Sequence, residues 1–415
     1  MKTRVVITGL GAITPIGNDV ASFWENIKNG VSGIGPLTKC DTEGLDSLVA
    51  GEVKGFDPAN YFEAKEAKRM ALFTQYAVAA TKEAWHDAGF DGPAPSPWRT
   101  SVILGNGIGG REVDHEAHKT LFERGAKRIS AMSIPKLISN EAAGNISMML
   151  QARGQVHTIV TACASGTDAI GVAFDAIRAG RADIVVTGGT EAAITPVAIG
   201  GFCALKALST KYNDTPEKAC RPFDANRDGF IMAEGAGIMV VESLEHALKR
   251  GARIYAELAG YGSTGDAYHL TAPDPAGTGA AEAISLALAD ANLTPADIDY
   301  FNAHGTSTPI NDPMETAAIK KVFGDDAQRL KISSTKSMTG HMIAAAGAVE
   351  GIVCVLGIRN GFYPPTINYE TPDPACDLNY IPNVGIAAPM RAALSTSLGF
   401  GGHNGALVFK RYQEA

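Results

Sequence analysis

Cys163 lies where a reactive thiol could form. The apolar run at residues 157–160 predicts a buried strand, and residues 167–178 predict a helix that Gly180 ends. Cys163 therefore occupies the turn between a strand and a helix N-terminus, where free N–H groups and the helix dipole favour a thiolate. A thiolate is the nucleophilic form of cysteine, although a free cysteine is as often a small buried hydrophobe.

Two histidines occur in turns of a similar kind. His304 lies in the motif AHGTST after a predicted strand at 297–303, and His341 ends the motif KSMTGH after a predicted strand at 331–334. Because turns that follow parallel strands gather along one edge of an α/β sheet, both histidines are expected to approach Cys163. A lone histidine is usually structural, but two histidines with a cysteine at a helix start indicate catalysis.

The segments that must position these residues form a pattern that occurs twice. The units 159–177 and 332–358 each run from a strand through a glycine turn with a reactive residue type into an apolar helix. This similarity predicts two related halves, residues 1–250 with the cysteine and residues 251–415 with both histidines. The 46 glycines, many of them in short turns, are typical of an α/β protein.

Other elements are predicted from local patterns. A strand at residues 4–9 leads into a glycine turn at 9–17, which lacks the spacing of a dinucleotide-binding turn. Long helices are predicted over 65–88 and 134–151, and a late glycine loop over 399–402.

The composition is that of an ordinary globular protein. Of the 415 residues, 45% are hydrophobic and 19% are charged, and the chain is long enough for two domains or one duplicated domain. The formal net charge is −8, from 36 basic and 44 acidic residues. This balance argues against a nucleic-acid binder, but it allows a local basic patch for an acidic partner protein.

The six cysteines show no metal-site spacing and are too sparse for a disulfide scaffold, so a reducing cytoplasm is expected. The first residues, Met1 to Gly9, enter a strand without a signal-peptide core. The longest apolar run, Ile343 to Ile358, contains Glu350 and is short for a membrane span. We interpret it as a buried helix and expect no membrane insertion.

The motifs TACASG, RPFD with RDGF and AEGAG, AHGTST, KSMTGH and GFGG follow one another between Arg4 and Phe409. In this order and spacing they resemble the β-ketoacyl-[acyl-carrier-protein] synthases, most closely the bacterial type II elongating enzymes. The resemblance implies an α/β, thiolase-like fold with two similar βαβ-type halves in a five-layered αβαβα arrangement. It also implies a cytoplasmic homodimer that needs no cofactor of its own, because the phosphopantetheine arm belongs to the carrier protein.

The resemblance assigns a Cys-His-His site. Cys163 would take the acyl chain from acyl-carrier protein as a thioester, and His304 and His341 would bind the malonyl thioester and stabilise the enolate formed by decarboxylation. The resulting carbanion would attack the acyl group and give a 3-oxoacyl chain. Lys336 is expected to order His341 together with Glu350.

The family pattern also assigns binding residues. Thr306 and Thr308 match positions that bind the phosphopantetheine arm, and Ile108, Phe202 and Phe400 match acyl-pocket positions, with Phe400 as a gate between Gly399 and Gly401. Plain core packing would explain Ile108 and Phe202 almost as well. The expected patch for the acidic carrier protein consists of Lys65, Lys68, Arg69, Arg124, Lys127, Arg128 and Lys206. A solvated charged face is the alternative.

Some relatives bind a structural monovalent cation, Na⁺ or K⁺, at positions that match Asn302, Glu350, Ser395 and Thr396. Three residues depart from the common pattern: His403 stands where many relatives have Thr, Leu398 where many have Phe, and Thr396 where Asn is common. These departures affect the cation site and the gate loop and leave the three catalytic residues intact.

Other members of the same superfamily fit less well. A thiolase would carry a second cysteine in the late glycine loop, where Phe400 stands, and the initiating synthase would have Asn in place of His341. A non-catalytic chain-length-factor subunit would lack Cys163. A ketosynthase of a polyketide-type pathway keeps the same three residues and remains the alternative.

Overall fold

The computed structural model describes residues 3–414. The strands are β1 Val5–Ile13, β2 Gly35–Pro36, β3 Val49–Ala50, β4 Thr100–Gly105, β5 Val156–Ile159, β6 Ile184–Glu191, β7 Gly235–Ser243, β8 Ala256–Gly265, β9 Tyr300–Asn302, β10 Lys331–Ser333, β11 Phe362–Tyr363, β12 Ile386–Ala387, β13 Ala392–Gly399 and β14 His403–Lys410. The α-helices are α1 Val20–Lys28, α2 Ala64–Ala67, α3 Leu72–Asp87, α4 Arg111–Arg124, α5 Ser133–Leu137, α6 Glu141–Leu150, α7 Ser165–Arg178, α8 Pro196–Ala204, α9 Leu244–Lys249, α10 Thr278–Ala291, α11 Asn311–Phe323, α12 Lys336–Thr339 and α13 Ala346–Asn360.

Ten strands form one sheet in the order β10-β9-β13-β14-β8-β1-β7-β6-β4-β5. The sheet divides into two sets of five strands, which meet at the antiparallel pair of β1 and β8. In each set the spatial order from the outer edge to the centre is third, second, fourth, fifth and first along the chain. The two outer pairings of each set, β5-β4-β6 and β10-β9-β13, are parallel, and the others are antiparallel.

Helices lie between and outside the two sets of strands. α7 packs on β4 and β6 of one set and on β8 and β14 of the other, and α13 packs on β13 and β14 as well as on β6 and β7. On the outer faces, α3 covers β1 and β7, and α10 covers β8 and β14. This arrangement gives five layers, helix, strand, helix, strand and helix.

The two central helices approach each other closely at glycines. A Cβ atom on Gly166 would lie 2.5 Å from the Ala344 carbonyl oxygen, and one on Gly347 would lie 2.1 Å from Thr167 Oγ1. Side chains at either glycine would force the helices apart. The segment Ile343–Asn360 is long and apolar enough to cross a membrane, but it is buried in this central layer, as expected for a core helix.

Three local predictions are wrong at the N-terminal side. The predicted turn at 9–17 begins as strand, since β1 continues to Ile13. A Cβ on Gly9 would lie 2.1 Å from the Ala84 carbonyl oxygen, and one on Gly11 would lie 1.9 Å from that of Ala80. The absence of side chains at these two glycines therefore lets α3 pack closely on β1.

The predicted helix over 65–88 is two helices, because a new helix starts at Leu72, whose N–H donates to Glu112 Oε1 at 2.8 Å. The predicted helix over 134–151 is also interrupted, because the Leu137 carbonyl accepts the Gly110 N–H at 2.9 Å instead of continuing the helical pattern.

The strand before Cys163 is not buried as predicted. β5 is the last strand at one end of the ten-stranded sheet, and Val156 on it is exposed. Its continuous apolar sequence resembles that of a central strand, but β4 covers only one of its edges.

Candidate active site

Cys163 lies in a 3-10 turn, Ala162–Ala164, that connects β5 to the central helix α7. Ala162 has φ +50°, a left-handed conformation that is strained for a residue with a side chain. The turn is fixed by Ser165, whose Oγ accepts the Thr161 N–H at 2.9 Å and donates to the Ala162 carbonyl at 2.6 Å. The Cys163 side chain is partly buried, and the N–H groups of Phe400 and of Cys163 itself lie close enough to the sulfur to lower its pKa.

The expected resting thiolate is not found. The pKa of the Cys163 thiol is raised to about 11, mainly by burial and to a smaller extent by the nearby Glu191 carboxyl group. The positive charge of Lys336 and the N–H groups of Phe400 and Cys163 lower the pKa, but they do not outweigh the loss of hydration. The N–H groups at the sulfur are thus better suited to a charge that develops on a substrate oxygen than to a stored thiolate.

The turn between β13 and β14 brings Phe400 to the cysteine. A Cβ on Gly399 would lie 2.8 Å from the Thr161 carbonyl oxygen and 3.2 Å from the Cys163 nitrogen. Gly401 and Gly402 have φ +87° and +76°, which favour glycine. The absence of a side chain at Gly399 lets the Phe400 N–H approach the sulfur, an arrangement that suits a backbone oxyanion hole.

His304 follows β9 and is buried. Its backbone N–H donates to Glu315 Oε1 at 2.7 Å, and the Gly305 N–H donates to Glu315 Oε2 at 2.8 Å. Glu315 also accepts the Thr396 hydroxyl at 2.8 Å. One buried carboxylate on α11 therefore fixes the loop that carries His304. The sequence analysis did not identify Glu315.

Lys336 contacts a different histidine from the one predicted. Its Nζ lies 3.4 Å from His304 Nδ1 and forms an ion pair with Glu350, whereas His341 is not among its hydrogen-bond partners. The predicted role of Lys336 in ordering His341 therefore has no hydrogen bond behind it, and the lysine contacts the His304 ring instead. A lysine ammonium can only donate, so His304 Nδ1 accepts and the ring proton lies on Nε2.

His341 is held by its backbone. Its N–H donates to the Ile231 carbonyl at 2.8 Å, and its own carbonyl accepts the Ala233 N–H at 2.9 Å. The ring packs edge-on against that of His304, with 5.3 Å between ring centroids. Both ring nitrogens of His341 are buried without a hydrogen-bond partner in residues 3–414, which suits a donor that waits for a ligand.

Both imidazoles are neutral. Burial and the Lys336 charge lower the pKa of His304 and of His341 well below the ordinary value, and for His304 the neighbouring His341 adds to the effect. A neutral imidazole still carries one N–H donor. Burial also raises the pKa of Glu350, although the Lys336 charge opposes this shift.

An apolar cluster adjoins Cys163. The partly buried Ile108 and Phe202 pack with Cys163 against the buried Ile343 and Phe230. The Phe202 and Phe400 rings are 6.2 Å apart between centroids, so the predicted gate residue lies against the predicted pocket wall. The structure thus brings together every residue that the sequence suggested for the acyl pocket.

The sequence analysis missed a second buried carboxylate, at the end of β6. Glu191 Oε2 accepts the Gly107 N–H at 3.0 Å, and the N–H groups of Ile108 and Ala344 lie close enough to lower the pKa of the carboxyl group. Burial raises the pKa of Glu191 to about 8, although the N–H groups lower it. No motif marks this residue.

Thr306 and Thr308 lie together on the loop after His304. Their hydroxyl oxygens are 3.1 Å apart, and the Thr308 carbonyl accepts Arg227 Nε at 3.1 Å. Arg227 is itself nearly buried and pairs with Asp373 at 2.7 Å. The RPFD and RDGF segment therefore supports the loop that presents the two hydroxyls.

Two family models match most of the chain. The beta-ketoacyl synthase N-terminal domain matches residues 2–247, and the C-terminal domain matches residues 255–370. The chain belongs to the beta-ketoacyl synthase family.

Curated members of this family are similar over almost the full length. The 3-oxoacyl-[acyl-carrier-protein] synthase 2 of Staphylococcus aureus (strain COL) is 52% identical over 410 residues, which are 99% of each chain. The protein of the same name from Synechocystis is 48% identical over 412 residues, again 99% of each.

Solved structures of beta-ketoacyl synthases match the whole chain. A type II polyketide acyl-carrier protein in complex with its ketosynthase gives a TM-score of 0.91 at 39% identity. The ishigamide ketosynthase/chain length factor gives 0.93 at 36%, and a synthase from Burkholderia phymatum gives 0.92 at 36%. Each match covers 100% of both chains. They confirm the predicted thiolase-like fold.

The predicted carrier-protein residues lie on three separate segments of this beta-ketoacyl synthase. All seven side chains are exposed: Lys65, Lys68, Arg69, Arg124, Lys127, Arg128 and Lys206. The first three lie in α2 or directly after it, the next three lie at the end of α4 or in the 3-10 turn that follows it, and Lys206 follows α8.

Three of the four predicted cation ligands have a free oxygen. Asn302 Oδ1, Glu350 Oε2 and Ser395 Oγ are buried without a hydrogen-bond partner in the described part of the chain. Asn302 and Ser395 are direct partners in the parallel pair of β9 and β13, so their side chains share a face of the sheet. The Thr396 hydroxyl differs, because it is bonded to Glu315. Residues 3–414 contain no cluster of three or more His, Cys, Asp or Glu that could hold a metal ion.

Proposed function

We propose that this chain catalyses the decarboxylative condensation of acyl-[acyl-carrier-protein] with malonyl-[acyl-carrier-protein] in fatty acid elongation. The observation that carries the proposal is the Cys163 sulfur with two N–H groups beside it and the two neutral histidines nearby. Identity favours elongation over a polyketide pathway, since the curated 3-oxoacyl-[acyl-carrier-protein] synthases reach 52% and 48% and the solved polyketide ketosynthase 39%.

The first step transfers the acyl chain to the cysteine. Cys163 Sγ loses its proton and attacks the thioester carbonyl, and the N–H groups of Cys163 and Phe400 stabilise the tetrahedral oxyanion. Collapse of the intermediate breaks the bond to the phosphopantetheine sulfur, which leaves as a thiol after taking up a proton. The chain then occupies the apolar cluster around Ile108 and Phe202.

The second step uses the histidines. The N–H groups of His304 Nε2 and His341 donate to the thioester oxygen of the malonyl group, so that loss of carbon dioxide leaves a stabilised enolate. Its α-carbon attacks the acyl-Cys163 carbonyl, the C–S bond breaks, and 3-oxoacyl-carrier protein leaves. Lys336 keeps the His304 proton on Nε2. The Thr306 and Thr308 hydroxyls bind the phosphopantetheine arm.

The partner in both steps is acyl-carrier protein. The similar ketosynthase whose structure was solved in complex with an acyl-carrier protein supports this partner, and the seven exposed basic residues are our proposed docking patch for its acidic surface. Replacing Lys65 and Lys68 with Glu should raise KM for the carrier protein with little change in kcat. A small pantetheine thioester, which lacks the acidic protein, should be used equally well by both forms.

We also propose a homodimer that forms through β5. This strand is at an open edge of the sheet, and exposed apolar side chains surround it: Val156, Val160, Ile134 and Met148, with exposed fractions of 39, 57, 63 and 69%. An uncovered apolar edge is normally paired or protected. Light scattering should give twice the chain mass, and Val160→Asp should shift it toward the monomer. A stable, fully active monomer of the unmodified chain would contradict the proposal.

The division into halves and the cellular setting are proposals too. The repeated strand order and the boundaries of the two family models support halves at 1–250 and 251–415. All six cysteines are free, which fits a reducing cytoplasm.

A structural Na⁺ or K⁺ fits the unpartnered oxygens of Asn302, Glu350 and Ser395, since such cations take oxygen ligands. Binding would add to stability, so the melting temperature should be higher in potassium or sodium chloride than in choline chloride. Ser395→Ala should reduce that difference.

The function itself is tested by mass spectrometry of the intact protein after incubation with acyl-carrier protein. One acyl adduct is expected on Cys163, and Cys163→Ser should lose most of it. An adduct on Cys203 or Cys220 would overturn the assignment.

A further inference from the structure

The turn at Cys163 has a structural counterpart in the other half. Residues 162–166, ACASG, and residues 343–347, IAAAG, each begin with a 3-10 turn and continue into a central helix. Their first residues, Ala162 and Ile343, have left-handed φ angles of +50° and +47°. Cys163 therefore corresponds to Ala344, and the close-packed Gly166 to Gly347.

The two turns differ in what their N–H groups face. β6 and β13 are the fourth strands of their sets, and they end at Glu191 and Gly399. At Cys163 no carboxylate faces the turn, because the counterpart of Glu191 is Gly399, which has no side chain and lies beside the Cys163 nitrogen. At Ala344 the N–H lies close enough to the Glu191 carboxyl group to lower its pKa, and Gly107 adjoins both residues. A carboxylate of the protein thus occupies the place that a substrate oxyanion takes at the first turn.

Glu191 also connects two walls of the apolar cluster. It accepts the Gly107 N–H on one side, and the N–H groups of Ile108 and Ala344 also lie close enough to lower its pKa. Ile108 and Ile343 both pack in the cluster that contains Cys163. The position of the Glu191 carboxylate therefore fixes the distance between the Ile108 loop and the strained turn at Ile343.

We propose that Glu191 is a specificity-determining positioning residue. Its carboxyl group lies at the position in the Ala344 turn that corresponds to the oxyanion hole at Cys163, and it thereby sets the width of the acyl pocket. The proposal rests on the proposed function, since it assumes that the acyl chain on Cys163 occupies this cluster.

Glu191→Ala should release the Ile108 loop and leave an empty site lined by N–H groups. A looser wall should favour bulky chains, so the ratio of kcat/KM for long-chain to medium-chain acyl-carrier protein should rise about five- to tenfold, as expected for lost hydrogen bonds. Added formate, a carboxyl compound small enough to occupy the vacated site, should bring the ratio back toward that of the unmodified enzyme. Glu191→Gln should change the ratio without rescue, because the amide still fills the site.

Gly107→Ala provides a second variant that keeps the carboxylate. A Cβ there would lie 2.8 Å from Glu191 Oε2, so the loop must shift, and the ratio should change in the same direction. Gly107→Ala therefore still tests the proposal if Glu191→Ala does not fold. Glu83→Ala is the matched control, because Glu83 also accepts two backbone N–H groups, those of Ala12 and Val20, in the packing of α3. It should lower the melting temperature without a change in the ratio or any rescue by formate.

An unchanged ratio in the folded variants, or formate effects equal to those in Glu83→Ala, would overturn the proposal while leaving the condensation reaction intact. If the unmodified enzyme takes no acyl chain on Cys163, the proposed function fails first, and the two failures are therefore distinguishable.

Discussion

The proposed site has two sets of candidate oxyanion donors that differ in construction. At Cys163 the donors are backbone N–H groups, from Cys163 and Phe400, and at the malonyl side they are the rings of His304 and His341. The backbone donors are held by a strained turn and by a glycine that leaves room for close approach. The ring donors are held by burial and by the charged groups behind them. A negative charge on a substrate oxygen can thus be stabilised by backbone N–H groups or by side chains, and only the side chains can be removed by mutation.

This difference decides which substitutions affect which step. A side-chain donor is deleted by replacing its residue, whereas a backbone donor can only be displaced by filling the space beside it. Acyl transfer and decarboxylation should therefore fail separately when the two sets of donors are altered.

The largest effect is expected at the nucleophile. Cys163→Ala should lower acyl transfer by about 10⁴-fold, because no other group can form the thioester. Cys163→Gln should still release carbon dioxide from malonyl-carrier protein, since His304 and His341 remain. Acyl transfer is followed by mass spectrometry and carbon dioxide release with labelled malonate. A Cys163→Gln protein that releases none would show that the two donor groups are not independent.

The histidine variants should have the next largest effect. His304→Ala or His341→Ala removes one ring donor and should slow condensation about a hundredfold or more, as deletions of oxyanion-hole donors do. Transfer of the acyl chain to Cys163 should be affected far less, because its donors are backbone groups. Carbon dioxide release at the unmodified rate in both variants would mean that the rings are structural.

Gly399→Ala should slow acyl transfer more than decarboxylation, which is the opposite of the effect expected for the histidine variants. The added methyl group would lie 2.8 Å from the Thr161 carbonyl oxygen, so the hairpin must move away from Cys163 and take the Phe400 N–H with it. We expect acyl transfer to fall about ten- to a hundredfold, within the range for a lost donor, with carbon dioxide release little changed. Gly265→Ala on β8, which pairs with β14 of the hairpin, is the control, since its added methyl group meets no atom within 4 Å. Equal effects of the two alanines would refute the displacement.

The positions of the reactive residues could be predicted from sequence, because each lies in a glycine-containing turn flanked by strand or helix periodicity. The repeated sequence pattern placed His341 at the position equivalent to Cys163. In the structure the residue equivalent to Cys163 is Ala344, three residues further along the chain. That correspondence depends on φ angles and on strand order, which a pattern of residue types does not contain.

The supporting carboxylates could not be predicted in the same way. Glu315 lies within a helix and Glu191 at the end of a strand, and neither belongs to a motif. Their role arises from N–H groups that come from distant segments of the chain. The pKa of Cys163 was misjudged for a related reason: its helix-terminal position is visible in the sequence, whereas burial by other segments is not.

The smallest predicted effect concerns Lys336, whose positive charge acts on Cys163 and on both histidines. Lys336 lowers the pKa of Cys163 and of both histidines. Because the thiol pKa is about 11, alkylation of Cys163 by iodoacetamide should rise about tenfold per pH unit from about pH 7 to 10, without a plateau. Lys336→Met removes a nearby positive charge, so the Cys163 pKa should rise and alkylation at about pH 8 should slow about three- to tenfold.

Lys39→Met is the matched control for this last effect. Lys39 also forms an ion pair with a buried carboxylate, that of Glu234, but it is not among the charges that act on Cys163. The alkylation rate of Cys163 should therefore be unchanged in this variant. A plateau near pH 8 in the unmodified enzyme would show that the helix N-terminus outweighs burial after all. Equal rates in Lys336→Met and the unmodified enzyme would show that the lysine acts only on the histidine side, and the two sets of candidate oxyanion donors would then share no electrostatic control.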